Sequence, residues 1–287
     1  MLHSKPYLKL LAVIFLVLLT PSPARSQQQP KHHVDLIAGV ELNYRDLHWN
    51  KLMELLINIT PAVKWRFGDG WQMTGQMIVP VYNDYGEYYK KVRLGMAVLS
   101  KETELGKSQM KISAGLFSQE RYGLDIKYLL PISPAFALDA QLGFTGRWSV
   151  ASEWEGSLPD RITGWAGMRV WLNKWKVEGR LRAGRFVFAD YGAIAEGYRH
   201  FKHCSAGVYG QYSDKGGASA GFKVIVMIPP YGKKDKTFRL RPASYFRLSH
   251  NIMADTYSIK MYDTDPEENE REGWAETATL GPYSLTR

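Results

Sequence analysis

His200, His203 and Cys204 fall within five positions of one another, and all three types bind metals. A spacing of three puts the two imidazoles on opposite faces of a strand, where they cannot chelate together. The trio also falls at a predicted hairpin turn, so no metal site is expected. Asp263, Asp265, Glu267 and Glu268 offer carboxylates as a calcium loop does. The glycine and the ligand spacing of such a loop are absent, and a solvated acidic loop is the expectation. For nucleophilic chemistry the candidates are His48, and His250 beside Ser249. No nucleophile elbow is present and these residues sit in unrelated loops, so no catalytic residue and no cofactor is expected. Asn58-Ile59-Thr60 matches a glycosylation sequon in pattern alone, in the middle of a predicted strand.

One set of charges remains. Lys176, Glu178, Arg180 and Arg182 occupy alternate positions of one predicted strand and so point one way, while Arg185 leaves that face after Gly184. A wet basic surface attracts an acidic polymer or the phosphates of lipopolysaccharide. Glu178, Glu196, Asp125 and Asp139 are available as internal partners, and pairing of these charges within the protein is the favoured reading.

The elements that must position these residues are strands. From Val34 to Pro229-Pro230 the dominant period is two. Val34, Leu36, Ala38, Val40 and Leu42 alternate with His33, Asp35, Gly39, Glu41 and Asn43. Trp65 and Phe67 close a later run, and Gly68-Asp69-Gly70 turns directly into Trp71, Met73, Gly75 and Met77. The pattern continues with Val92, Leu94, Met96 and Val98 on an apolar face, then Met110 to Leu116, Tyr122 to Leu130 and Phe136 to Phe144. Further runs lie near 161–172, 175–187, 191–201, 204–212 and 218–228. Each is about 9–12 residues, the length a strand tilted across a bilayer needs. One face is apolar and often large; the other carries Gly, Ser, Thr, Gln and charges. A closed sheet with a lipid-facing outside and a wet inside produces this distribution. The expectation is an all-β fold: an antiparallel up-and-down transmembrane β-barrel of about twelve strands over 27–230 with a C-terminal extension. A soluble eight-stranded barrel is the harder rival, and the strand count argues against it.

Aromatic residues gather at strand ends: Trp65, Phe67 and Trp71; Tyr82, Tyr85, Tyr88 and Tyr89; Trp148 and Trp154; Trp171 and Trp175. Such placement predicts an interfacial girdle.

The ends of the chain differ from the middle. Lys5 and Lys9, an apolar run from Leu10 to Leu19, then Pro21-Ser22-Pro23 and Ala24-Arg25-Ser26, have the layout of a secretory signal peptide over 1–26. Its removal takes Lys5, Lys9 and Arg25, so the net charge of +9 becomes 9 − 3 = +6. The remaining basic residues alternate with apolar ones and do not cluster, which argues against a nucleic-acid partner. A single cysteine excludes an internal disulfide. Residues 231–287 hold a charged break at Gly232-Lys-Lys-Asp-Lys236, one possible strand from Phe238 to Leu248, and the acidic run Asp263 to Glu272. Whether this tail lies outside the barrel or plugs it is open at this point.

The run Gly184-Arg-Phe-Val-Phe-Ala-Asp-Tyr-Gly-Ala193, followed by Arg199-His-Phe201, resembles the YjbH-type exopolysaccharide-secretion proteins of Gram-negative outer membranes. Asp214-Lys-Gly-Gly217 to Pro229 resembles the family's next strand, and the good match covers about 45 residues. Lys202-His203-Cys204 departs from the family's acidic-Asn-Gly turn, and the chain is far shorter than two-barrel members. The resemblance implies a non-catalytic part in exporting or anchoring an extracellular polysaccharide. The partners then expected are outer-membrane lipid and lipopolysaccharide, with an acidic polysaccharide and other export proteins as further candidates. It adds Asp190 and Arg199 to Lys176, Arg180, Arg182 and Arg185 as polysaccharide or lumen contacts.

Overall fold

The computed structural model describes residues 33–45, 54–68, 70–84, 86–149, 152–155, 162–228, 237–253, 261–271 and 273–274. The expected signal segment, His48, Tyr85 and the 275–287 end lie outside them, as do the side chains of Tyr88 and Trp154.

Seventeen strand segments form among the described residues, all in one sheet. The first four are two interrupted strands. β1 (His33–Ala38) and β2 (Val40–Arg45) are separated by Gly39; β3 (Glu54–Ile59) and β4 (Ala62–Arg66) are separated by Thr60-Pro61. Proline has no N–H to give a ladder, and the break falls beside it. Ladders β1/β4 and β2/β3 continue on either side, and the Thr60 N–H donates to the Gly39 carbonyl across the gap.

A long meander follows: β5 (Trp71–Asn83), β6 (Arg93–Leu105), β7 (Ser108–Phe117), β8 (Arg121–Ser133), β9 (Phe136–Ser149), with the short β10 (Ser152–Glu155) at its end. β11 (Ile162–Leu172), β12 (Val177–Arg185), β13 (Tyr191–His200), β14 (Cys204–Ser213) and β15 (Gly217–Met227) complete it. Each pairs antiparallel with the next. Gly115 and Gly123 face each other across β7 and β8 with φ of 141° and 136°; a Cβ on either would strike the carbonyl of Ala97 or Phe144, so only glycine fits this bend.

Two strands continue the sheet beyond residue 230. β17 (Tyr245–Met253) pairs antiparallel with β15, and β16 (Phe238–Pro242) pairs in parallel with β1. β17 also lies against β2. The all-β, mostly antiparallel architecture is as expected, with more segments than the twelve read from the sequence. Taken strand by strand, the ladders do not close the sheet into a ring.

Burial is inverted relative to a water-soluble protein, in which charged residues are almost never fully buried. Lys111 and Asp125 are wholly buried and Lys127 nearly so, while Leu138, Leu142, Met168 and Leu181 on neighbouring strands are exposed, with Val208 at 67% and Leu240 at 71%. In β9 the alternation is residue by residue: Leu138 out, Asp139 in, Gln141 in, Leu142 out.

Three expectations fail. Ile112 of β7, placed on the outward apolar face, is buried at 5%. Met96 and Val98, placed on the outward apolar face, are buried at 2% each, because the β5/β6 register shifts between Gln76 and Met77 and turns that part of β6 over. Trp171, expected in a girdle, faces inward and stacks on His200 at 5.3 Å. Trp65, Tyr82 and Trp175 do stand exposed near strand ends. Among the described residues no helix is long and apolar enough to cross a membrane.

Candidate functional site

The inner face of the sheet is occupied by the chain's own acidic tail. The expectation of a solvated acidic loop is overturned: Thr264, Asp265, Asn269, Glu270 and Arg271 are all buried. The reason is the set of cations that the inward face presents.

Lys64 on β4 contacts Asp265 Oδ1 at 2.8 Å and Glu267 Oε2 at 3.1 Å. Gln72 on β5 donates to Asp265 Oδ2 at 2.7 Å, and Lys111 on β7 stands 3.8 Å from the same oxygen. Lys127 on β8 donates to both oxygens of Glu268, at 2.6 and 2.5 Å. Arg241 on β16 grips Glu267 with two parallel bonds of 2.5 and 2.6 Å, the fork geometry that makes arginine–carboxylate pairs strong. Lys223 on β15 and Arg247 on β17 reach Glu270 Oε1 at 3.2 and 3.1 Å. The Arg180 guanidinium donates to the Glu270 carbonyl. Arg271 donates to the carbonyls of Phe201, Lys202 and Cys204, closing over the β13–β14 turn.

Rings hold the segment at both ends. Tyr262 stacks on Phe117 at 5.4 Å, joins Met96, Val98 and Val187, and donates its hydroxyl to Asp125 at 2.6 Å. Trp274 packs against Leu129 and Ala137. Asp125, Lys127 and Leu129 are successive inward residues of β8, about 14 Å end to end at strand rise, and they meet Tyr262, Glu268 and Trp274 in order. The tail therefore runs along the inward face of β8 from Asp125 to Leu129.

The tail belongs to no strand, and its carboxyl groups respond to these surroundings. Burial alone would raise Asp265, but Lys64 and Lys111 outweigh it and hold the group far below the ordinary carboxylate range. Burial is likewise outweighed at Glu267, by Lys64 and Arg241, which lower it to about 2. Asp263 differs: burial, then the charge of Glu268, push it up to about 6.

The six sequence-predicted residues divide. Arg180 is buried, ion-paired to Glu178 at 2.8 Å, and lies over the Tyr198 ring. Arg182 is half-buried, binds Asp139 at 3.0 Å and Glu196 at 3.5 Å, and lies over Trp165. These bonds are the internal pairing favoured above. Arg185 donates to the Ile162 carbonyl at 3.0 Å and lies near the Tyr191 ring. Lys176 is not on the shared face: it ends the turn before β12, at φ 52°, and is exposed. Arg199 is exposed on the outer side, over Phe201. Asp190 is wholly buried, and neither carboxylate oxygen has a hydrogen-bond partner among the described residues. It closes the turn 186–190, whose Phe186 and Val187 fold inward against Met261 and Tyr262.

Sequence spacing missed one constellation. His200 contacts Ser205 Oγ through Nδ1 at 2.7 Å and Glu178 Oε2 through Nε2 at 2.9 Å. All three are buried, and the imidazole stacks with Trp171 and Tyr198. His203, considered beside it for metal, is on the turn instead. Ser205 and Glu178 are partners only across strands, so no local motif marks them. No group of three or more metal-binding side chains forms among the described residues. His250 is mostly buried against Phe222.

No family model, curated protein or solved structure matches this chain.

Proposed function

We propose that the chain is an outer-membrane β-barrel, closed along the β1–β16 seam and filled by its own tail, that serves without catalysis in exporting or anchoring an extracellular polysaccharide. The observation that carries the membrane half is the inverted burial. Charged side chains point inward and many large apolar ones outward, the distribution expected where hydrocarbon surrounds the sheet. Strands of 9–14 residues from β5 to β9 and β11 to β17, β16 apart, are long enough to cross.

The closed reading treats β1–β2, β3–β4 and β16–β17 as single interrupted strands and sets β10 aside. Seventeen segments then become 17 − 3 − 1 = 13 strands, each with a neighbour on both sides. An odd number forces one parallel seam, and β1 against β16 is parallel. Arg239 and Arg241 tie that seam to Asp35 at 2.8 and 3.1 Å, and Arg241 ties it on to Glu267.

The polysaccharide half rests on the resemblance over 184–201. Its support is that the turn within this motif folds inward onto the tail.

Two measurements test the two halves. The protein, freed of its leader, is expected to need detergent and to migrate differently on gels when boiled; monodisperse behaviour in plain buffer refutes the membrane reading. A deletion strain is expected to lose secreted glycan, and His48→Ala, His250→Ala and Ser205→Ala copies to restore it. Unchanged glycan in the deletion strain refutes the export role.

A further inference from the structure

We infer that the interior is a binding site for a polyuronate, a polymer bearing a carboxylate on every sugar, and that residues 261–274 occupy it as an intramolecular competitor. This rests on the barrel reading above and names the class of polymer that reading leaves open.

The tail is held chiefly through carboxylates. Lys64, Lys111, Lys127, Lys223, Arg241 and Arg247 come from six strand segments and converge on Asp265, Glu267, Glu268 and Glu270 at 2.5–3.8 Å. A permanent filling has no need of this chemistry. Buried ion pairs stabilise no better than apolar packing of the same volume, because desolvation offsets the attraction. What charge provides is recognition of one chain that another chain of like charge can replace.

The wall is complementary to a polyanion once the tail leaves. Asp35 keeps Arg239 and Arg241, Glu178 keeps Arg169, Asp139 keeps Arg182, Glu196 keeps Lys223, and Glu102 stays 3.5 Å from Lys111. Lys64 and Arg247, by contrast, make their close ion pairs among the described residues to tail carboxylates. The vacated strip is thus cationic. A polymer that binds it must compete with the docked tail, so its apparent affinity scales with the fraction of barrels whose tail is out.

Wall geometry supplies a second handle. Gly143 lies under the Tyr262 hydroxyl, and a Cβ there would overlap it and also press the Thr163 hydroxyl of β11 at 2.6 Å. Gly143→Ala should therefore weaken tail docking without touching an ion pair.

The experiment uses planar bilayers with the full chain, a chain ending at residue 260, and the full chain carrying Gly143→Ala. The intact protein is expected to show no conductance steps. The truncated one should conduct with anion selectivity, as cation-lined pores do. Alginate oligomers should block that current at concentrations at least tenfold lower than dextran of equal length, and Lys64→Gln with Lys127→Gln should remove the difference. A conducting truncated barrel that is cation-selective, or that alginate and dextran block alike, overturns the inference while leaving the barrel reading intact. If the truncated chain loses its heat-modifiable migration, Gly143→Ala decides: opening with alginate block supports the inference, and silence with or without alginate overturns it. Failure of every form to insert, with no detergent requirement, refutes the barrel reading itself.

Discussion

Lys127 and Glu268 are 141 residues apart in the chain, and the lysine Nζ donates to both carboxylate oxygens of the glutamate, at 2.6 and 2.5 Å. The Lys127 side chain is 2% exposed, so this pair is made away from bulk water. Its neighbours on the inward face of β8, Asp125 and Leu129, meet Tyr262 and Trp274. One strand thus engages the tail by a hydrogen bond, an ion pair and an apolar contact, in that order.

Glu268→Gln leaves a buried ammonium without its closest partner, a loss of about 3–5 kcal/mol in similar pairs. The tail should then become cleavable by a protease that leaves the intact protein uncut, read by mass spectrometry in detergent. The double variant Lys127→Met with Glu268→Met should recover much of the protection, since neither charge remains to be buried. Equal resistance of the parent protein and Glu268→Gln would show that the pair does not hold the tail.

Tyr262→Phe keeps the stack on Phe117 and deletes only the hydroxyl that donates to Asp125 Oδ1. Asp125 Oδ1 still accepts from Gln141 at 2.7 Å, so the cost is that of one lost hydrogen bond, about 0.5–1.5 kcal/mol. Tyr262→Ala also loses the ring, and about 3–5 kcal/mol is expected by analogy with large core truncations. Denaturant midpoints for protease protection of the tail should fall in that order; a reversed order would mean the ring, not the hydroxyl bond, is in the wrong place.

Much of the sheet is legible in the sequence, because a two-residue period with one apolar face survives from β7 to β15. The strand runs expected near 191–201 and 204–212 lie within a residue of β13 and β14. Face reversals are not legible: Met96 and Val98 point inward because of a register shift opposite β5, which depends on the neighbouring strand. Lys176 keeps the alternation on paper, yet the turn before β12 takes it at positive φ, so it never joins the face of Arg180. The parallel seam of β1 and β16 is set by residues some 200 positions apart. The acidic run reads as solvated for a similar reason. Nothing near it in sequence announces Lys64, Lys111 or Arg241 as partners.

Leu142 sits mid-strand on β9 with its side chain outward, between inward Gln141 and Gly143. Arginine on the lipid face costs about 2–4 kcal/mol near the bilayer midplane. Leu142→Arg should therefore lower the folded fraction in lipid vesicles at a given urea concentration, read from heat-modifiable migration. In a water-exposed sheet the same change would be nearly neutral, and a neutral result would sink the membrane assignment.

The tail's grip should depend on pH with a maximum between two limbs. Asp263 goes from 3.8 when free to about 6 when docked, because it is buried and faces Glu268. Between those values the docked tail holds a proton that the free tail lacks, so docking weakens as pH rises through about 4 to 6. Glu267 has the opposite sign, since Lys64 and Arg241 overcome burial and hold its docked value at about 2 against 4.5 when free. Its contribution is full above 4.5 and is lost as pH falls through that window. Asp265 and Glu270 are lowered in the same way, by Lys64 with Lys111 and by Arg247 with Lys223. Protease protection of the tail should therefore be greatest at about pH 5 and decline on both sides. Asp263→Asn removes the proton uptake, so protection should stay flat from about pH 5 to 8 while the acid limb persists. An upper limb that survives Asp263→Asn would assign it to another group and remove Asp263 as its cause.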